Sequence, residues 1–496
     1  MTMCVLLSTL LDGRARSGAF TFTLAATLMA CPADQGADTE ASADTSGSTT
    51  QTTADDGGVV PSEGLLACPA GESCTLVLVA QAFDDRVDVF AARGPGPIYR
   101  GALDLDLKPN PLGDNSGDFL DEPYGMAIDD FGLSVLVGHY PERDRGSLVQ
   151  FPHAFLAAQA PGATVPQAAF FDGSEFLAPV TAIDLAATEA IFMLAHPSGR
   201  QLVGVFANDL FTLESEWTAP GELLVVDPAT GAVGRRSLST VGSGSCAGAW
   251  SLVALDDAMD HVALACDGDE GAVVLDTSAL GVGSVADAAA AIDGCVADVL
   301  FPDKRVRYLA PDGLGGFLLA ENPPTATFEP GRLWRFDGDC KQLGTAGTIP
   351  GELWEARELV ALPSEVGARW LMATGRTQGR GIHVVRDGET GAEICATLDE
   401  LDSWWTGTDG SEVHPYAMAL DRTGSGLAVG AGPPEPADDQ PGYGRVLWIE
   451  LGGGDPCDSS PVRSVVDLTE ASPPVTVDDP SSWHRGPNVV LVKDYG

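Results

Sequence analysis

From Leu65 onward the chain is a succession of short apolar runs broken by turns rich in Gly, Asp and Pro, with no stretch that keeps a helical period. One phrase recurs: an apolar run often ending in Asp, a turn, then a second apolar run ending in a small residue. Its clearest copies are Pro123-Tyr124-Gly125-Met126-Ala127-Ile128-Asp129, leading to Leu136-Val137-Gly138, and Pro415-Tyr416-Ala417-Met418-Ala419-Leu420-Asp421, leading to Ala428-Val429-Gly430. Further copies centre on Ala67, Ala182, Ala254, Leu309 and Ala361 and close at Ala80, Ala195, Ala265, Ala320 and Ala373. A repeat of about 59 residues is long for a minimal four-stranded unit and implies generous loops.

A second marker falls at the same phase in six of the seven units: a Gly opening a third strand, at Gly146, Gly221, Gly271, Gly331, Gly381 and Gly444. The first unit has Arg86-Val87-Asp88-Val89-Phe90 instead. Two of these strands run into Asp227-Pro228-Ala229-Thr230-Gly231 and Asp387-Gly388-Glu389-Thr390-Gly391. There Asp can accept from its own backbone, and Gly can take the positive φ that starts a fourth strand. Four strands in each of seven units predict an all-β fold, a seven-bladed β-propeller with four antiparallel strands per blade. Strands such as Val77-Leu78-Val79 and Leu133 to Val137 are expected to be buried, because stacked sheets cover both of their faces. The strand–Asp–turn–Thr–Gly grammar, spanning about Leu65 to Leu468, resembles propellers of the lactonase-like and surface-layer (YVTN-type) repeat kind. The resemblance implies channel-facing His, Arg and acidic groups in the lactonase-like case, a role open here to Arg305, Arg307 and Arg357.

Beyond the seventh unit's fourth strand, Val462 to Leu468, lies one more apolar run, Asn488-Val489-Val490-Leu491-Val492-Lys493. An open ring would leave free strand edges, so Val489 to Val492 is expected to pair with the first unit's sheet, whose opening strand Leu65-Leu66-Ala67 is the shortest.

The N-terminus reads differently. Arg14 and Arg16 precede an uncharged stretch from Ser17 to Ala30, the length of a signal-peptide apolar region and too short to span a bilayer. It ends Leu28-Met29-Ala30-Cys31, which resembles the bacterial lipobox and implies lipid attachment at Cys31. Residues 32 to 63 contain Ser, Thr, Gly, Ala and seven acids, with no Lys or Arg, a composition that cannot bury enough surface to order itself. The organisation expected is therefore a signal peptide over 1–30, a lipidated Cys and acidic tether over 31–63, and the propeller over 64–496. That makes the protein an exported, membrane-anchored lipoprotein facing the periplasm or the cell surface, touching membrane through its anchor only.

Charge narrows the partners. With 71 acidic against 27 basic side chains the net charge is −44, and only four of the basic residues are Lys, so nucleic acid is excluded. Cys accounting supports export. Cys4 leaves with the signal, Cys31 takes the lipid, and eight remain for a compartment where disulfides persist. Repeat position pairs them as two hairpin staples, Cys68–Cys74 and Cys246–Cys266, and two cross-blade staples, Cys295–Cys340 and Cys395–Cys457.

Candidate chemistry gathers where second strands end and first strands begin, since those loops share one face around the channel. The second-strand ends read Gln81, His139, His196, Cys266, Glu321, Thr374 and Ala431, and His414 and Glu122 precede first strands on the same face, with Trp404 and Trp405 in the loop before His414. Imidazoles and carboxylates could bind a transition metal or work as acid and base on an ester or lactone. Asp114, Asp118 and Asp121, or Asp267 to Glu270, offer hard oxygen to calcium without the full spacing of an EF-hand loop. No nucleophile elbow, His-Glu-x-x-His or phosphate-binding glycine loop occurs. The reading favoured is a monomeric, cofactor-free binding or scaffold module, not an enzyme, for an envelope protein, glycan or small molecule. The alternative is a propeller hydrolase or metal-dependent enzyme working at the channel mouth.

Overall fold

The computed structural model describes residues 64–495 except 69–73, 94–96, 106–122, 138–145, 174, 187–189, 206–219, 242–245, 247, 268–270, 298–304, 323–329, 351–355, 364–366, 376–379, 408–410, 434–443 and 474–486. Seven sheets form the expected seven-bladed β-propeller. From the inside out, blade 2 is Pro123–Ile128, Gly132–Val137, Ser147–Pro152 and Thr181–Asp184. Blade 3 is Ala190–Ala195, Gln201–Val205, Glu222–Asp227 and Ala232–Ser237, and blade 4 is Gly248–Ala254, His261–Asp267, Ala272–Asp276 and Asp293–Ala297. Blades 5 and 6 follow as Arg305–Pro311, Phe317–Asn322, Arg332–Phe336, Gly347–Thr348 and as Ala356–Leu362, Arg369–Thr374, Gly381–Asp387, Ala392–Thr397. Blade 7 is His414–Leu420, Gly426–Gly432, Arg445–Leu451 and Val462–Asp467. First strands of successive blades pack against one another around the axis. Val77, Leu78, Val79 and the run Leu133 to Val137 are fully buried, as sheets covered on both faces require.

Blade 1 closes the ring. Its innermost strand is the C-terminal Pro487–Tyr495, antiparallel to Cys74–Gln81, with Arg86–Ala91 and Ile98–Asp104 outside. Val490 and Val492 then pack with Ala417, Ala419, Ala428 and Trp448 across the seam to blade 7. Leu65-Leu66-Ala67 is correspondingly not a strand; these residues form a buried turn, and the place expected for them is filled by the chain's other end. A second correction concerns blade 3. Ala182 lies in the fourth strand of blade 2, displaced along the sequence by an insertion holding the helix His153–Ala157 and the strand Ala163–Val165, which adds parallel to blade 1. Ala195 therefore ends a first strand, and its unit is out of phase by one strand.

The Asp that punctuates the repeat caps the turns. Asp129 Oδ1 accepts from the amides of Phe131 and Gly132, Asp312 Oδ1 from those of Leu314 and Gly316, and Asp421 Oδ1 from that of Ser425. Gly231 takes φ of 70° as its turn demands. Gly391 does not; Thr345 of the neighbouring blade runs too close to it for a Cβ. All four disulfides pair as expected, and each cross-blade staple joins a fourth strand (Cys295 or Cys395) to the turn after the third strand of the next blade (Cys340 or Cys457).

Candidate functional site

Every blade carries a β-bulge where its first strand enters from the face of the 2–3 and 4–1 loops. The ladder skips Asn488, Ile191, Trp250, Arg307, Arg357 and Tyr416, and one residue of Tyr124-Gly125. A bulge leaves its extra residue outside the ladder and re-aims the side chain. In blades 6 and 7 two such residues meet: the Arg357 guanidinium lies 5.1 Å from the centre of the Tyr416 ring, and both side chains are buried. Arg357 Nε donates to Gly375 O at 2.8 Å, and the Tyr416 hydroxyl donates to Pro433 O at 2.5 Å. Burial brings the Arg357 guanidinium down to about 10.

His414, which opens the first strand of blade 7, completes the cluster. Its side chain is 1% exposed, with Nε2 3.5 Å from Glu412 and Nδ1 packed on the Cα of Gly375 without a hydrogen-bond partner. Burial pushes the imidazole down to about 4; Glu412 opposes that shift, while Arg357 and Arg380 reinforce it. Arg380 pairs with Glu412 at the solvent side, where their side chains are 34% and 52% exposed. Arg445 donates to Thr406 O, pairs with Asp467 and sits 5.9 Å from the Trp404 ring centre; Trp405 beneath is buried. Aromatic and guanidinium groups thus form a buried centre with a charged rim.

The remaining candidates separate from this cluster. Glu321 ends a second strand on the same face but is fully buried, where its Oε2 accepts the Trp334 indole N–H at 2.6 Å. Thr374 bonds His383 Nε2 at 2.8 Å, and His383 Nδ1 bonds Thr397 at 2.9 Å, a network within blade 6. His196 is corrected outright: it begins the 1–2 turn of blade 3, on the opposite face, with Nδ1 at 2.8 Å from the Ser198 hydroxyl and Nε2 at 3.2 Å from Met259 O. His139, Glu122, Asp114, Asp118, Asp121, Gly268 to Glu270 and the Cys31 region lie outside the described residues, as do the side chains of Arg305 and Arg307. Among the described residues no three His, Cys, Asp or Glu are grouped to hold a metal ion. Arg380, Glu412 and Gly375 were not anticipated. The one signal for Tyr416 was its place in the Pro-Tyr phrase that blade 2 shares, which marks the bulge itself.

No family model matches the chain, and no curated protein does. Solved structures do. A 6-phosphogluconolactonase candidate from Bacteroides uniformis is 8% identical over 85% of this chain and 99% of that one, with a TM-score of 0.50. A second from Bacteroides fragilis is 10% identical over 86% and 100%, with a TM-score of 0.47. Kuenenia stuttgartiensis hydrazine synthase is 13% identical over 68% and 79%, with a TM-score of 0.42. At such identities the likeness is one of fold.

Proposed function

We propose that the protein is a lipid-anchored binding module of the cell envelope that takes a glycan, protein or small molecule on the 2–3/4–1 face of blades 6 and 7. Four disulfides point to an oxidising, extracytoplasmic compartment. The observation that carries the ligand face is the Arg357–Tyr416–His414 centre under the Arg380, Glu412 and Trp404 rim. The buried centre holds that rim in place, and the partly exposed Arg380, Glu412 and Trp404 supply the guanidinium, carboxylate and aromatic groups through which a recognition surface makes contact. Hydrolysis is supported less well, since a general base works best with a pKa near the working pH, and His414 is held near 4. The other described imidazole proposed for that work, His196, faces away. The test is calorimetric titration of purified protein with cell-wall glycan fragments, alongside lactone and ester hydrolysis. Binding weakened by Arg380→Ala and Trp404→Ala supports the reading, whereas turnover abolished by His414→Ala replaces it with the hydrolase.

A further inference from the structure

The opposite face, that of the 1–2 and 3–4 turns, carries the exposed large apolar side chains of the described residues. Leu314 is 81% exposed and Val282 71%, and Leu177, less so, lies in the blade 2 insertion between third and fourth strands. Leu314 stands in the 1–2 turn of blade 5 and Val282 in the 3–4 connection of blade 4, each between two glycines. A Cβ built on Gly313 or Gly315 would meet nothing within 4 Å, so that tip stands clear of the fold. Turn chemistry asks for polar residues at such apices. Two bare aliphatic side chains there need a separate cause, and exposed apolar groups mark surfaces that dock.

The second observation is where the chain enters the domain. Leu65 N donates to Leu156 O at 2.9 Å, Arg100 Nη2 donates to Gly64 O at 2.9 Å, and Leu65 and Leu66 are buried. Leu156 follows the third strand of blade 2, and Cys74, bonded to Cys68, starts a strand that leaves the same face. The acidic segment of residues 32–63 therefore joins the domain on the face that carries the apolar tips.

We infer that this face lies against the membrane and that Leu314 and Val282 enter the interfacial layer of a lipid surface. The inference rests on the anchored reading of Cys31 and deepens it: the ligand face of blades 6 and 7 then points away from the bilayer. Asp312 is buried against Arg335, but the turns beside the tips carry Asp256, Asp257, Asp260, Asp337 and Asp339 against Arg200 and Lys341, so the local balance is acidic, the surface that fits is zwitterionic, and anionic lipid repels it. Two aliphatic tips give weak, reversible contact, enough to orient a molecule that the anchor already holds.

The test uses the full chain purified from its membranes and reconstituted in phosphatidylcholine vesicles. Intact mass reports whether Cys31 is acylated, and hydrogen exchange compares the vesicle-bound protein with soluble Cys31→Ser protein. Exchange should slow severalfold at residues 280–284 and 312–316 and stay unchanged at 398–407. The slowing should vanish in the Val282→Ser/Leu314→Ser double variant and shrink when phosphatidylglycerol is added. Acylated protein with unprotected tips, or with protection at 398–407 instead, overturns the orientation while leaving the anchor standing. Unacylated Cys31 overturns both.

Discussion

Individual side chains set the local behaviour at two places that can be tested directly. Arg369 grips Asp455 with two hydrogen bonds of 3.0 and 2.6 Å across the seam between blades 6 and 7, and that pairing holds the Asp455 carboxyl at about 2. A carboxyl depressed in the folded state adds stability above its unfolded pKa near 4, and the contribution is lost as pH falls through about 2. Arg369→Ala should therefore cost about 1 kcal/mol at pH 7 and much less below about pH 2, as read by denaturant titration at several pH values. An equal loss at both would show that the pair contributes through packing alone. At the ligand face, the Cα of Gly375 touches the His414 ring, and a Cβ there would fall 2.5 Å from Nδ1. Gly375→Ala should displace His414 and destabilise the domain by about 1–3 kcal/mol. His414 itself should titrate near pH 4 by NMR; a midpoint above 6 would restore it as an acid–base group. His414 and Arg357 were legible as candidates, but their burial and contacts were not, because a partner such as Gly375 lies 39 residues from His414 and belongs to another blade.

Strands and turns were far more legible, and their limits have definite causes. Asp-capped turns and third-strand glycines carry local hydrogen-bond and φ requirements, so they show in the sequence wherever they occur. The clasp was readable because a dense apolar run after a completed seventh blade has no other place to be buried. What misled was the single insertion in blade 2, whose Thr181–Asp184 strand has the same apolar-then-Asp appearance as a first strand. Alternation alone does not number strands within a blade, and that slip carried His196 to the wrong face. The clasp gives the element's own prediction. Val490 is 1% exposed among Ala417, Ala428 and Trp448, so Val490→Asp would bury an unpaired carboxylate in the seam that closes the ring. Expected is a loss of about 3 kcal/mol or more with faster proteolysis near Leu65; an unchanged melting temperature would show that Pro487–Tyr495 is dispensable.

For the whole molecule, closure makes stability a property of seams, and each described tie works by joining neighbouring blades. The insertion strand Ala163–Val165 ties blade 2 to blade 1, the helix Val285–Ala291 of blade 4 packs on the outer strand of blade 3, and Arg93 reaches across to Asp421 and Glu450 of blade 7. Disulfides secure the 4–5 and 6–7 seams. If cross-links act mainly on the unfolded chain, their worth follows the loop they close: a separation of 62 residues for Cys395–Cys457 against 6 for Cys68–Cys74. Loop-closure entropy then gives about 4 kcal/mol for the first and about 2 kcal/mol for the second. A Cys395→Ala/Cys457→Ala double variant should accordingly lose more stability than Cys68→Ala/Cys74→Ala, although the short staple, which ties the entering chain to the start of Cys74–Gln81, lies beside the clasp and the long one on the outer rim. The opposite order in equilibrium denaturation would mean that the native seam beside the clasp, and not the unfolded chain, is where these cross-links act.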